Sequence, residues 1–143
     1  QAGADRLWVV NVGDLKPMEV PIDFFLDQAW DPEAMTAERM AGWSRDWAQA
    51  QFGEAQADEI AELIDLYTRY NSRRKPELIG PETFSLINHD EADRIEAEWA
   101  ELAARADKVR ASLPADFDDA FVQLVWFPIH ASGNVTAFVQ ACD

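Results

Sequence analysis

The sequence has few of the residues that would place it among disulfide-linked, metal-binding or membrane proteins. Cys142 is the one cysteine among 143 residues, so the chain cannot form an internal disulfide. No apolar run approaches the roughly 20 residues that cross a bilayer, and the opening residues lack the charged and apolar regions of a signal peptide. His89 and His130 have no second histidine at metal-ligand spacing. We therefore expect no metal, no cofactor and no membrane among its ligands and partners.

Basic residues are also scarce, which excludes a further class of partners. Lys and Arg number 12 against 27 Asp and Glu, giving a formal net charge of −15. Nucleic-acid phosphates need a basic stripe, and anionic membrane surfaces need basic clusters. Many acidic residues fall on predicted helix faces, in the ranges 54–62 and 91–101, where they are typical of a solvated surface. We expect no nucleic-acid partner.

What the sequence does contain is material for a core. Hydrophobic residues make up 48% of the chain, including six Trp and eight Phe, and large aromatic side chains bury much apolar area. The chain starts without Met, and an apolar stretch over 135–142 runs to within one residue of the end. We interpret this pattern as a fragment of a longer protein, cut at both ends.

A short run near the N-terminus predicts a strand. Residues 7–12 are almost continuously apolar and rich in β-branched side chains, and Gly13-Asp14 closes the run as a turn would. Such a run is typical of a strand buried on both faces, as in parallel sheets and barrels. Its pairing partners would have to come from chain outside these 143 residues.

The rest of the chain predicts helices with apolar stripes and charged backs. Pro21 can begin a helix that Asp31-Pro32 ends, Thr36 can cap one that stops at Gly53, and a third covers roughly 55–74. Asn88 or Asp90 can cap a fourth, and Pro114 opens the last, which Pro128 should bend. The predicted stripes comprise Met40, Trp43 and Trp47; Ile60, Leu63, Ile64 and Tyr67; Ile95, Trp99, Leu102, Ala106 and Val109; and Phe117, Phe121, Leu124 and Val125. Helices of this kind predict a bundle.

Two segments carry polar residues that could contact a ligand. In 11–19, Asn11, Asp14, Lys16 and Glu19 follow the predicted strand, where a barrel would place its ligand-binding face. The alternative is an ordinary loop in which Asp14 forms an Asx turn.

The second segment, 67–76, holds four of the basic residues. Cations at a helix C-terminus are favoured by the helix dipole. Alternatively, Arg73, Arg74 or Lys75 could bind a carboxylate, with Tyr67 or Tyr70 as a stacking surface.

Both segments also carry a family resemblance. The stretches LWVVNVGDLKPME (7–19), PIDFFLD (21–27), AWDP (29–32) and YTRYNSRRKPEL (67–78), followed by QLV (123–125), Pro128 and Ala131-Ser132, resemble glycoside hydrolase family 115. The resemblance implies a xylan α-1,2-glucuronidase, which releases glucuronic acid or 4-O-methylglucuronic acid from glucuronoxylan or aldouronic acid oligosaccharides.

The resemblance also implies an architecture and a site. The fold would be mainly α, with residues 1–32 as the terminal strand and helix of a TIM-like barrel and residues 33–143 as a C-terminally truncated helical bundle. Asn11 would face the uronate, Asn71 would approach the same pocket, and Asp14, Lys16, Glu19 and Arg73 match the same motifs. The acidic catalytic candidates would precede Leu7, so we expect no catalytic residue here and no turnover by the fragment alone.

Other expectations follow from the family. A secreted or periplasmic location is implied, although this segment has no signal peptide, and a homodimer of the parent enzyme is left open. A different class of function also fits the composition: a non-catalytic, acidic helical module that docks a protein partner.

Overall fold

The computed structural model describes residue 3 and residues 6–141, and these form helices without a strand. They divide into two compact units, residues 1–43 and residues 44–143. The predicted boundary at 32/33 stays a prediction, because a compact unit defined by contacts need not coincide with an evolutionary domain.

The first unit is built around α1, Glu19–Trp30, and the start of α2, Ala37–Phe52. Pro21 lies in the first turn of α1, where a backbone N–H has no acceptor within the helix, so proline is tolerated there. The helix begins at Glu19, two residues before the predicted start at Pro21. The Phe24 and Trp43 rings meet edge to face at 5.1 Å, and Trp43 Nε1 donates to Asp27 Oδ2 at 2.8 Å. Trp8 packs on Phe25 with ring centroids 5.7 Å apart.

The predicted strand is not formed in this unit. Residues 7–12 have no regular structure, and the side chains of Leu7 and Val9 are 80% and 85% exposed. A strand exists only where a neighbour supplies ladder hydrogen bonds, and the described residues contain no second strand. The mainly helical prediction is confirmed, whereas the barrel portion is not seen.

Helix α2 has the predicted ends. Thr36 Oγ1 accepts a hydrogen bond from the Arg39 N–H at 3.2 Å, as an N-cap does. Gly53 follows the helix with φ +82°, a conformation that favours glycine. Trp43 and Trp47 are buried as expected, but Met40 is 40% exposed, so its place on the buried stripe was predicted wrongly.

The second unit packs three long helices around one core. After a single 3₁₀ turn, Glu54–Gln56, α3 covers Ala57–Arg73, and α4 covers Glu91–Ser112 after a second such turn, Pro76–Leu78. A third turn, Ala115–Phe117, leads into α5, Asp118–Phe121, which continues through a π-helical turn, Val122–Trp126, into α6, Phe127–Gln140. The core side chains are Trp47, Phe52, Ile60, Leu63, Ile64, Ile95, Trp99, Leu102, Ala106, Val109, Phe121, Val125 and Ile129.

The predicted stripes of α3 and α4 are confirmed almost entirely. All five apolar residues predicted for α4 are buried, and on α3 only Tyr67 remains partly exposed. Arg105 links the two helices through Glu59 and Glu62, with Nε and Nη2 to carboxylate oxygens at 2.9 and 2.6 Å.

The start of α4 differs from the prediction. Neither Asn88 nor Asp90 caps it through a side chain, and Asp90 adopts a left-handed φ of +50°. Instead the chain folds back on Ser85, whose carbonyl accepts from the Ala92 N–H at 3.1 Å. The Glu91 carboxylate accepts from the Ser85 N–H at 2.9 Å. The Ala92 N–H is one of the first-turn donors that a side-chain cap would otherwise satisfy.

Pro128 was expected to bend the last helix, and the helix accommodates it by widening. The Phe127 N–H bonds to the Val122 carbonyl, five residues back, which is a π-type bond. Because proline has no N–H, a local change in the hydrogen-bond pattern next to it costs less than in an unbroken helix.

Candidate functional site

The candidate residues of the first unit lie on an exposed turn. Asn11 Oδ1 accepts a hydrogen bond from the Gly13 N–H at 3.1 Å, and Gly13 has φ +68°. Asn11, and not Asp14, therefore forms the Asx turn. This bond holds the side-chain oxygen of Asn11 against the backbone. Within the described residues, the Asn11 Nδ2 group makes no hydrogen bond.

The neighbouring candidates follow on the same segment. Asp14 and Lys16 are exposed, and the chain turns at Leu15, whose carbonyl accepts from the Met18 N–H at 2.9 Å. Glu19 is the first residue of α1 and is half-buried. A carboxylate in this place is stabilised by the positive end of the helix dipole, so Glu19 has a structural role whatever else it contacts.

Asn71 lies in the second unit, on α3, facing α6. Its Nδ2 group donates to Ser132 Oγ at 3.4 Å, and Ser132 is buried. Burial raises the pKa of Tyr67, one turn earlier on α3, and the neighbouring Ser132 side chain opposes that rise. A small polar cluster thus joins α3 to α6.

Arg73, two residues further on, faces α4. Its Nη1 lies 2.5 Å from Glu98 Oε2, and the two side chains are 31% and 30% exposed. The guanidinium carbon stands 4.5 Å from the centre of the Tyr70 ring, which in turn meets Trp99 edge to face at 5.3 Å. One face of Tyr70, predicted as a stacking surface for a ligand, is therefore covered by Arg73.

The end of α3 borders a groove of about 1170 Å³. Its walls are the end of α3, the segment 78–84 and the first turns of α4. Three arginines (Arg73, Arg74, Arg94) and three glutamates (Glu82, Glu91, Glu98) line it. Sequence reasoning named Arg73 and Arg74 but missed Arg94 and Glu98. Nothing in the sequence around 94–98 distinguishes these two residues from the charged back of a helix.

The structure groups the predicted residues by unit. Asn11, Asp14, Lys16 and Glu19 belong to the first unit, and Asn71 and Arg73 to the second. A pocket shared by Asn11 and Asn71 stays a prediction.

Metal and membrane functions gain no support from the part of the chain that is described. No cluster of three or more His, Cys, Asp or Glu side chains within residues 6–141 could hold a metal ion. Nor do these residues include a helix long and apolar enough to cross a bilayer.

Comparison with known families decides the relationship. The model of glycosyl hydrolase family 115 matches residues 1–78, more than half of the chain. The chain belongs to glycosyl hydrolase family 115. The family relationship predicted from the sequence motifs is thereby confirmed, and the family implies a glycoside hydrolase. The match contains both 7–19 and 67–78, the segments that carry all the candidate residues. No curated protein matches the chain.

Proposed function

We propose that the chain is part of a glycoside hydrolase that releases glucuronic acid or 4-O-methylglucuronic acid, α-1,2-linked, from xylan. The observation that carries the proposal is the family match over residues 1–78, which includes both polar segments. In this proposal the chain supplies substrate contacts from Asn11, Asp14, Lys16, Glu19, Asn71 and Arg73. The general acid and base come from elsewhere in the parent enzyme.

The first unit fits the proposal if residues 7–12 complete a barrel in the parent protein. Leu7 and Val9 are far more exposed than apolar side chains usually are, and the run lacks ladder partners here. Pairing with parallel strands would bury both faces of the run. Asn11 would then stand at the carboxyl end of a strand, where barrel enzymes bind their ligands.

The geometry of Asn11 suits recognition of a uronate. Its oxygen is held by the Gly13 N–H, which aims the unused Nδ2 donor away from the backbone. A carboxylate accepts strongly from such a donor, and Lys16, five residues on, offers a positive charge to the same acid group. We assign Asn11 the role of hydrogen-bond donor to the sugar acid.

Two substitutions of Asn11 in the full-length enzyme separate its roles in binding and in the turn. Asn11→Asp keeps the oxygen that accepts from Gly13 but replaces the donor with a negative charge. Asn11→Ala removes both groups. A hydrogen bond to a charged group contributes about 1.5–3 kcal/mol, so we expect kcat/KM for uronate release to fall about tenfold or more in Asn11→Ala. The kcat/KM of Asn11→Asp should fall at least as far, because the new carboxylate would repel the carboxylate of the uronate.

The measurement is release of the uronic acid from glucuronoxylan, with Asn134→Ala as the matched control. Asn134 is exposed on α6, and no hydrogen bond of its side chain is present in the described residues. The control should keep wild-type turnover. Full activity in Asn11→Asp together with a loss in Asn11→Ala would show that only the turn matters, and the donor role would be rejected.

A further inference from the structure

The side chain of Asn71, near the end of α3, is bonded through its nitrogen. Its Nδ2 group donates to Ser132 Oγ at 3.4 Å, and the side chain makes no other hydrogen bond with the described residues. An amide side chain has a donor end and an acceptor end, so this bond leaves Oδ1 as the free end. The oxygen is not one of the buried polar atoms that lack a partner, so a ligand can reach it.

Ser132 is held in place by the packing of α6. Its side chain is buried, and its carbonyl accepts a hydrogen bond from Thr136 Oγ1 at 3.0 Å. The next residue is Gly133, where an added Cβ would stand only 3.5 Å from Trp99 Cβ on α4. A buried side chain on a helix packed this closely has little freedom to move. Ser132 Oγ is therefore an acceptor with a fixed position.

Trp99 also holds the end of α3 that carries Asn71. The rings of Tyr67 and Tyr70 meet the Trp99 ring edge to face, with centroids 6.4 and 5.3 Å away. Because α3 and α6 pack on the same indole, the core sets the distance between Asn71 and Ser132. At 3.4 Å the bond is long for an N–H donor, so it orients the amide more than it stabilises the fold.

We propose that Ser132 is a positioning residue: it holds the amide nitrogen of Asn71, so that the oxygen of Asn71 accepts a hydrogen bond from a hydroxyl of the substrate. A free amide oxygen suits a hydroxyl, which donates, and repels a carboxylate, which only accepts. Asn11 and Asn71 then have complementary roles, since Asn11 presents its nitrogen and Asn71 its oxygen. The identity of the substrate rests on the proposed function, whereas the bond between Asn71 and Ser132 does not.

A double-mutant cycle in the full-length enzyme tests the positioning role, with release of uronic acid from glucuronoxylan as the measurement. Ser132→Ala should lower kcat/KM about three- to tenfold, because an amide that is free to rotate presents its oxygen only part of the time. Asn71→Ala should lower kcat/KM at least as far. In the Asn71→Ala background, Ser132→Ala should cause no further loss, because Ser132 acts through Asn71. A purely structural role of Ser132 would instead make the two losses additive.

Ser112→Ala is the matched control for the removal of a serine hydroxyl. Ser112 Oγ also accepts from a side-chain amide, the Nε2 group of Gln56, at 3.0 Å, but it lies at the last residue of α4. We expect Ser112→Ala to leave kcat/KM unchanged. Circular dichroism should show that all the variants keep their helices.

Asn71→Asp tests which end of the side chain meets the substrate. The aspartate keeps an oxygen for the substrate hydroxyl, and its second oxygen can accept from the Ser132 hydroxyl. Asn71→Asp should therefore retain more of the wild-type kcat/KM than Asn71→Ala does. This order is the opposite of that expected at Asn11, whose nitrogen faces a carboxylate.

The bond itself can be measured without turnover, by ¹H–¹⁵N NMR of the 143-residue chain. The side-chain amide protons of Asn71 should exchange with solvent more slowly than those of Asn134, which is exposed and makes no side-chain hydrogen bond with the described residues. Ser132→Ala should remove this difference. A full-length enzyme that releases no uronic acid would reject the proposed function while the exchange result still decides whether Ser132 holds Asn71.

Four results would each overturn the positioning role. These are wild-type turnover by Ser132→Ala, additive losses in the cycle, lower activity of Asn71→Asp than of Asn71→Ala, and an Asn71 side-chain amide that exchanges as fast as that of Asn134.

Discussion

At the scale of the residue, the sequence predicts which kinds of side chain form a turn or a polar contact, but it does not predict which partners they bond. The sequence indicates that an Asx turn lies near Gly13, since Asn and Asp both favour it, yet Asn11 makes the bond and Asp14 does not. Asn71 bonds to Ser132, 61 residues away along the chain, and no local pattern relates the two. Such contacts depend on how helices pack, which a single sequence does not specify.

Gly133 offers a test of that packing at a single position. It lies inside α6, and a Cβ added there would stand 3.5 Å from Trp99 Cβ, an ordinary van der Waals contact. Because glycine in a helix costs roughly 0.5–1 kcal/mol relative to alanine, Gly133→Ala should raise the free energy of unfolding by about that amount. Urea denaturation followed by circular dichroism measures it.

Gly53→Ala is the matched control with the opposite sign. Gly53 has φ +82° and ψ 171°, a region almost restricted to glycine. We expect this variant to lose about 1–3 kcal/mol. A urea midpoint for Gly133→Ala below that of the wild type would contradict the prediction that the space between α6 and Trp99 accepts a methyl group at position 133.

Helix interiors were predicted well at the scale of the element, whereas the start of α4 was not. The 22 residues of α4 repeat apolar side chains at steps of four and three, and all of those predicted are buried. Its start depends on Ser85, which reaches it from a segment without regular structure. The π turn before Pro128 could not be predicted either, because proline indicates that a helix is disturbed but not how the hydrogen bonds rearrange.

Phe121, just before the π turn, tests whether this region belongs to the core. Its side chain is 0% exposed and meets the Phe52 ring at 5.7 Å. Phe121→Ala should cost about 3–5 kcal/mol, from lost apolar burial and the cavity left behind. Phe138→Ala on α6, where the ring is 70% exposed, should change stability by less than about 0.5 kcal/mol.

Both phenylalanine variants can be compared by guanidinium denaturation monitored through tryptophan fluorescence. Similar losses in the two would mean that the α5–α6 region is loosely packed, and the core as described would be incorrect. A large loss confined to Phe121→Ala supports the place of Phe121 in the core.

At the scale of the whole molecule, the family was predictable while the barrel remains a proposal. The motifs in 7–19 and 67–78 lie within the matched residues 1–78. A strand is a property of pairs, however, and the part of the chain that is described contains no strand with which residues 7–12 could pair. A segment detached from its sheet would expose apolar side chains, and those of the first unit that are exposed include Leu7, Val9, Val10, Leu15, Leu26 and Trp30.

Hydrogen exchange of the Val9 and Val10 amides tests the barrel proposal. In the 143-residue chain these amides have no hydrogen-bond partner among the described residues, so they should exchange at close to the rate of an unfolded chain. In the full-length protein, ladder bonds to neighbouring strands should slow them by about a hundredfold or more. The Ile60 and Leu63 amides, inside α3, should be protected in both proteins. If Val9 and Val10 exchange equally fast in both while Ile60 stays protected, the run is not a strand of a barrel, and Asn11 loses the position that connects it to a sugar acid.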